Sequence, residues 1–367
     1  MKIVEIVTQL DSGGAERFTV DLCNELSKNN DVTLIALYSL EEHGFYAQEV
    51  SDRVTLISLN MQSRRDYGIF FRIWKAVKAI NPDVVHTHLK AIPCAILPIF
   101  FLRKIAYFHT VHNDARKEAK DIISATARKI CFRNKLVTPV TISKESNRSF
   151  IEYYGFATKM IFNGRNVTSE VEPSQEVERE FQVYRRDSHT RVLICLARIN
   201  EIKRQPMLTK IVARLNDEGY NLSLIFIGST RREDVVGEIK SYNCPNVYIL
   251  GERHNPLEYL KMADAYCLCS SHEGMPISFI EALGVGAVPV CTPVGGIVNV
   301  VDDGVNGFVS SDLSEESYYN TLKRFLDLSP DALSKVGGEA VKSYAPFSMT
   351  ECAKAYLELF SKAVICR

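Results

Sequence analysis

Ser271-His272-Glu273-Gly274-Met275-Pro276-Ile277-Ser278-Phe279-Ile280-Glu281-Ala282, continuing through Gly286-Ala287-Val288-Pro289-Val290 to Gly295-Gly296, follows directly on the short apolar run 265–269. An apolar run of that length between polar segments predicts a buried strand of a parallel sheet. Pro276 is placed as the first helical residue, where its missing N–H costs nothing, and Ile277, Ile280, Ala282 and Leu283 supply an apolar helix face. Gly274 and Met275 therefore fall at a helix N-terminus. Unpaired N–H groups and the positive end of the helix dipole make such a place an anion site, and a glycine lets a ligand approach the backbone. Glu281 lies about 12 Å beyond Glu273 at 1.5 Å per residue. A carboxylate beside a phosphate would repel it, so the two glutamates are read as acceptors for hydroxyls on either side of the phosphates. A ligand with a polyol at each end and a diphosphate between them fits: a nucleotide sugar.

Outward from this stretch the same alternation recurs. Apolar, β-branched runs at 3–7, 32–38, 54–59, 83–86, 105–109 and 135–142 are separated by helical or loop segments, and the pattern restarts at 192–197, 222–227, 247–250, 266–269 and 288–291. Strand, crossover, strand, repeated in two series, predicts an α/β chain with two Rossmann-like, doubly wound parallel-sheet domains facing a cleft. Residues 168–190 are rich in charge and poor in β-branched residues, which suits a linker with an entry helix. Residues 349–365 carry apolar residues at helical spacing.

The balance of 44 basic and 44 acidic residues gives no polyelectrolyte signal and argues against a general nucleic-acid binder. Charge is uneven, however: residues 61–135 hold 15 Lys/Arg against 5 Asp/Glu, so part of the first half presents a basic surface. The ten cysteines form no Cys-x-x-Cys pair or zinc spacing, and several lie in apolar strand runs, as expected of a reduced, cytoplasmic protein. Residues 1–6 read as a strand start rather than a signal peptide, and the apolar run 91–102 is too short to span a bilayer.

Glu273 to Glu281 with Gly274-Met275-Pro276, then Gly286, Pro289 and Gly295-Gly296, resembles the signature of the retaining GT-B glycosyltransferases of family 4 (glycosyl transferases group 1). Gly13-Gly14-Ala15-Glu16-Arg17, His86-Thr87-His88, Thr110-Val111-His112, Asn163-Gly164, Arg198 and Lys203 extend the resemblance along nearly the whole chain. It implies an acceptor domain at 1–167, a linker at 168–190, a donor domain at 191–348, and a C-terminal helix at 349–367 that returns to the first domain. It also implies that Gly13 and Gly14 lie against the donor diphosphate, that Arg198 and Lys203 neutralise charge on the leaving group, and that His112 contacts the transferred sugar. Glu273 then orients sugar hydroxyls, Glu281 holds the ribose, and the N–H groups around Gly274 to Pro276 hold the sugar or its phosphates. Taken alone, Glu201-Ile202-Lys203-Arg204 reads as a solvated charged loop and His112 as a structural histidine. The family has glycine after the lysine, where this chain has Arg204, which could serve as a further phosphate contact. His109 ranks second among the histidines; His86 and His88 share a strand face, but the sequence offers no third metal ligand.

No cofactor is implied, since the nucleotide sugar is a co-substrate, and no metal is implied, because there is no Asp-x-Asp and two cations occupy that role. The resemblance further implies retention without an enzyme nucleophile, a UDP-sugar donor, and a glycan or lipid-linked acceptor in cell-envelope polysaccharide synthesis. The basic 64–135 region, from Arg64 to Lys135, with Phe70, Phe71, Trp74 and the 91–102 segment, resembles a peripheral membrane surface, which would place the chain at the inner face of the cell membrane. Alternatives are a non-catalytic nucleotide-sugar-binding partner subunit, or another GT-B enzyme such as a nucleotide-sugar epimerase or a phosphorylase.

Overall fold

Each of the eleven apolar runs becomes a strand in the computed structural model, which describes residues 1–63, 65–118, 121–167 and 170–366. Arg64, Thr168, Ser169 and Arg367, at the edges of the basic region, the linker and the last helix, lie outside the described residues. The chain divides into two compact units, Met1–Asn166 with Pro346–Arg367, and Val167–Ala345. The helix Gln175–Tyr184 opens the second unit, its N-terminus capped by Ser174.

In the first unit, β1 (Lys2–Val7), β2 (Asp31–Ala36), β3 (Val54–Ser58), β4 (Val84–His88), β5 (Ala106–Val111), β6 (Thr138–Thr141) and β7 (Lys159–Met160) form a sheet in the order β3-β2-β1-β4-β5-β6-β7. In the second, β8 (Arg191–Leu196), β9 (Leu222–Ile227), β10 (Val247–Gly251), β11 (Ala265–Leu268), β12 (Val288–Cys291) and β13 (Phe308–Val309) follow the order β10-β9-β8-β11-β12-β13. Every pairing is parallel. Both faces must then be covered by helices, which explains why these strands read as nearly continuous apolar runs rather than as alternating ones.

The strand order reverses between β1 and β4 in one sheet and between β8 and β11 in the other. Ligands of open α/β sheets bind outside the carboxyl ends of strands at such a switch point. Gly13 follows β1, His112 follows β5, Arg198 follows β8 and Glu273 follows β11, so each candidate sits at the carboxyl edge of its own sheet.

The helix Met349–Ile365 packs on the helix Gly14–Leu26 and on β5. Its Met349, Cys352, Ala353, Tyr356 and Phe360 are buried there. A Cβ on Gly164 would lie 2.5 Å from Cys352 Cβ, so the chain passes under this helix only with glycine at that position. All ten cysteines are free, and seven are buried, where they pack as small hydrophobes. Burial pushes the Cys267 and Cys269 thiols up to about 12.

Candidate functional site

In the second unit two loops are stitched together at the carboxyl edge. Ser271 N–H donates to the Ile202 carbonyl at 2.8 Å, and the Cys269 thiol reaches the Lys203 and Arg204 carbonyls at 3.2 Å each. These contacts bring Lys203 to Glu273: the ammonium pairs with Glu273 Oε1, and Ser270 Oγ donates to that same oxygen at 2.5 Å. Glu273 is 9% exposed. Arg198 is exposed, and its side chain has no ion-pair partner among the described residues. Glu281 is buried in the helix Ile277–Val285.

Pro276 is the N-cap of that helix, with ψ 130°, rather than its first turn. The difference is one residue: Pro276 keeps the extended ψ, and helical dihedrals begin at Ile277. No side chain caps this N-terminus, so its first N–H groups are left for a ligand or water. The paired glycines downstream have a packing reason. Gly295 has φ +56°, and a Cβ there would lie 2.5 Å from the Gly274 carbonyl oxygen; a Cβ on Gly296 would lie 2.4 Å from Met275 Cε. Gly296 N–H donates to the Gly274 carbonyl at 2.6 Å. The Gly274-Met275 loop is thus braced from beneath by a turn that only glycine can make.

Arg204 takes the left-handed conformation, φ 55° and ψ 34°, that glycine adopts without strain. Its guanidinium donates to the Leu313 carbonyl at 2.6 Å. In this arrangement it tethers the loop to Leu313.

In the first unit, Gly13 is the N-cap of the helix Gly14–Leu26. A Cβ on it would collide with the Glu16 carboxylate, 2.1 Å away, so Glu16 already lies over this helix N-terminus. Gly14 is exposed.

The histidines separate onto the two faces of the sheet. Thr87 and His109 face one way, with His109 Nδ1 2.9 Å from Thr87 Oγ1 and its ring near Phe132. On the other face His88 Nδ1 lies 3.0 Å from His112 Nε2, and Phe18 stands edge-on to both rings. His109 is therefore parted from His112, although only two residues separate them. The third group near His86 and His88, which sequence reading missed, is Glu5 of β1, paired in register with His86. Glu5 Oε2 lies 2.7 Å from His88 Nε2 and 2.9 Å from His86 Nδ1, the latter outside hydrogen-bond alignment. His86 Nε2 in turn lies 2.8 Å from Thr110 Oγ1, which is 2.7 Å from Tyr356 Oη. Two histidines and a carboxylate have a metal-ligand composition, and within this trio the Glu5–His88 contact is a direct hydrogen bond. Burial holds the His86, His88 and His112 imidazoles down to about 3 and raises the Glu5 carboxyl. The three imidazoles are therefore neutral near pH 7, and burial disfavours the charged form of Glu5. A lone acid inside the apolar run 3–7 was the one available signal for this cluster.

Two family models match the chain, Glycosyltransferase Family 4 over residues 12–168 and Glycosyl transferases group 1 over residues 176–340. Among curated proteins it is 26% identical to the Campylobacter jejuni GalNAc-alpha-(1->4)-GalNAc-alpha-(1->3)-diNAcBac-PP-undecaprenol alpha-1,4-N-acetyl-D-galactosaminyltransferase, over 77% of each chain. It is 24% identical to the Staphylococcus aureus capsular polysaccharide biosynthesis glycosyltransferase CapH, over 77% of this chain and 78% of that one. Among solved structures, Anabaena Alr3699/HepE in complex with UDP-glucose superposes with a TM-score of 0.81 at 17% identity, covering 99% of this chain and 100% of that one.

Proposed function

Since the chain belongs to glycosyltransferase family 4 and has the GT-B fold, we propose that it transfers a hexosyl group, with retention and without a metal, from a UDP-sugar to a hydroxyl of a glycan or lipid-linked acceptor in cell-envelope polysaccharide synthesis. The observation that carries this reading is the Lys203–Glu273 pair at the carboxyl edge of β8 and β11, the edge at which the exposed Arg198 follows β8. Two cations there suit a diphosphate leaving group, whose charge grows as the glycosidic bond breaks. Before the donor binds, Lys203 and Glu273 hold one another. A diphosphate oxygen competes with Glu273 for the ammonium, and the carboxylate oxygen so released accepts a sugar hydroxyl. Glu281 serves the ribose, and the N–H groups at Gly274, Met275 and the start of the next helix meet the sugar or its phosphates. The C1–O bond to the diphosphate breaks, the departing oxygen takes the acceptor proton, and the acceptor oxygen bonds C1 on the same face. The UDP-glucose bound to the Anabaena neighbour and the undecaprenol-linked glycan in the Campylobacter relative's name support a UDP-sugar and a lipid-linked acceptor.

The basic helices support attachment at a membrane face. Phe71 and Phe101, 62% and 71% exposed, lie on the helices Gly68–Ile80 and Ile96–Phe101, which pack together, and the first of these carries Arg72, Lys75 and Lys78. No helix among the described residues is long and apolar enough to cross a membrane.

A thermal-shift panel of UDP, GDP, ADP and their sugars, with and without EDTA, tests the donor reading. At 100 times its dissociation constant a ligand adds about 2.7 kcal/mol. The uridine compounds should shift the melting temperature with EDTA present, and Arg198→Ala and Glu281→Ala should abolish the shift. No shift with any nucleotide, or one that EDTA removes, would overturn the reading.

A further inference from the structure

The hydrogen bonds from Glu5 through His88 to His112 form a chain in which each ring has one nitrogen toward each neighbour. A neutral imidazole carries one proton, so the proton's position on the first ring dictates its position on the second. If Glu5 were a carboxylate, His88 would donate from Nε2, accept at Nδ1, and leave His112 protonated on Nε2. If Glu5 is the neutral acid, its O–H donates to His88 Nε2, His88 Nδ1–H donates to His112 Nε2, and His112 carries its proton on Nδ1.

The surroundings decide between these states. Glu5 is 0% exposed, Oε1 has no hydrogen-bond partner, and no lysine or arginine pairs with it among the described residues. A carboxylate with one bare oxygen and a single neutral donor would bear a large desolvation cost, whereas a neutral acid leaves only a carbonyl oxygen unpaired. Burial raises the Glu5 carboxyl and lowers His88, which also favours a neutral acid beside a neutral ring.

We infer that Glu5 is a positioning residue which, acting through His88, fixes His112 in the tautomer protonated on Nδ1, so that this ring meets the transferred sugar as a hydrogen-bond donor and not as a base. The sugar contact itself rests on the reading of His112 given above. The C-terminal helix supports the same cluster, since Tyr356 holds Thr110, which holds His86 beside Glu5.

Long-range proton–nitrogen correlation spectra of the full chain labelled with 15N-histidine read the tautomer directly, with signals assigned by their loss in His88→Asn and His112→Asn. In the wild type at pH 7 the proton of His112 should be on Nδ1. Glu5→Gln, whose amide N–H can replace the acid O–H, should keep that pattern. Glu5→Leu should give a mixture of both tautomers while the melting temperature shows the chain folded. A wild-type His112 protonated on Nε2, or a pattern unchanged in Glu5→Leu, would overturn the inference. Should Glu5→Leu not fold, the wild-type spectrum alone decides. These spectra need no substrate, so a wrong donor assignment leaves them interpretable, whereas unimpaired transfer by His112→Asn would remove the sugar contact and the functional half of the inference with it.

Discussion

At Glu273 a single carboxylate oxygen takes both the Lys203 ammonium and the Ser270 hydroxyl. If the diphosphate must draw Lys203 away, removing the negative charge should help a ligand that has only the diphosphate and hurt one that also has the sugar. In Glu273→Gln, UDP affinity is expected to rise about three- to tenfold, because a partly exposed pair contributes on the order of 1 kcal/mol, while transfer falls. Calorimetric titration with UDP checks this, and weaker UDP binding would count against the competition. Gly295 makes a second demand at this scale. Its left-handed φ and the carbonyl oxygens of Gly274 and Glu273, 2.5 and 2.6 Å from a Cβ, should make Gly295→Ala destabilising by about 2–4 kcal/mol. A urea midpoint equal to wild type would contradict that packing. Both residues stood in the motif as read, but the Lys203–Glu273 pair did not. Glu5 was passed over for a similar reason: a lone acid in an apolar strand looks like an outward-facing residue until its partner histidines on β4 are placed beside it.

Among the elements, the strands of four or more residues were legible because burial on both faces makes them apolar throughout. The two-residue strands β7 and β13 were not, since two residues hold no periodicity. The 91–102 segment is partly buried and partly exposed. Ala91, Ile92, Ala95, Pro98 and Ile99 are buried, and Phe100 and Phe101 are exposed. Within this segment it is the end of the helix Ile96–Phe101, beside Phe71 on the neighbouring helix, that offers apolar side chains to a membrane interface. Phe71→Ser combined with Phe101→Ser should reduce cosedimentation with vesicles containing anionic lipid and leave the fold intact. In the unsubstituted protein, binding should weaken with salt, as expected where each Lys or Arg contributes about 1 kcal/mol. Binding that is indifferent to the double substitution would remove these helices from the membrane reading.

For the whole molecule, the buried histidines couple stability to pH. An imidazole held neutral in the fold, with its ordinary value near 6.5 lowered to about 3, is protonated in the unfolded chain first. Its contribution is complete above pH 6.5 and is lost as pH falls toward 3, at up to about 1.4 kcal/mol per pH unit for each ring. Glu5 has the opposite sign: raised above its ordinary value, its contribution is complete below that value and lost as pH rises through the folded one. The urea midpoint of the first unit should therefore fall steeply between pH 6.5 and 4. Trp74, the only tryptophan in the sequence, lies in that unit and reports the transition by fluorescence. A midpoint level from pH 7 to 5 would mean that these rings already take up protons in the folded state.

The sequence by itself determined the two parallel α/β sheets, the loop that carries Glu273, Gly274 and Met275, and the helix after it that carries Glu281, because burial patterns, a helix start and glycine spacing are local properties of the chain. Only the tertiary structure decided that Lys203 meets Glu273, that Arg204 tethers Leu313, and that Glu5 joins His88 and His112 while His109 faces away. These are contacts between segments distant in sequence, set by strand register and by which face of a sheet a side chain occupies. A one-residue shift in either reverses them, and no local pattern records it.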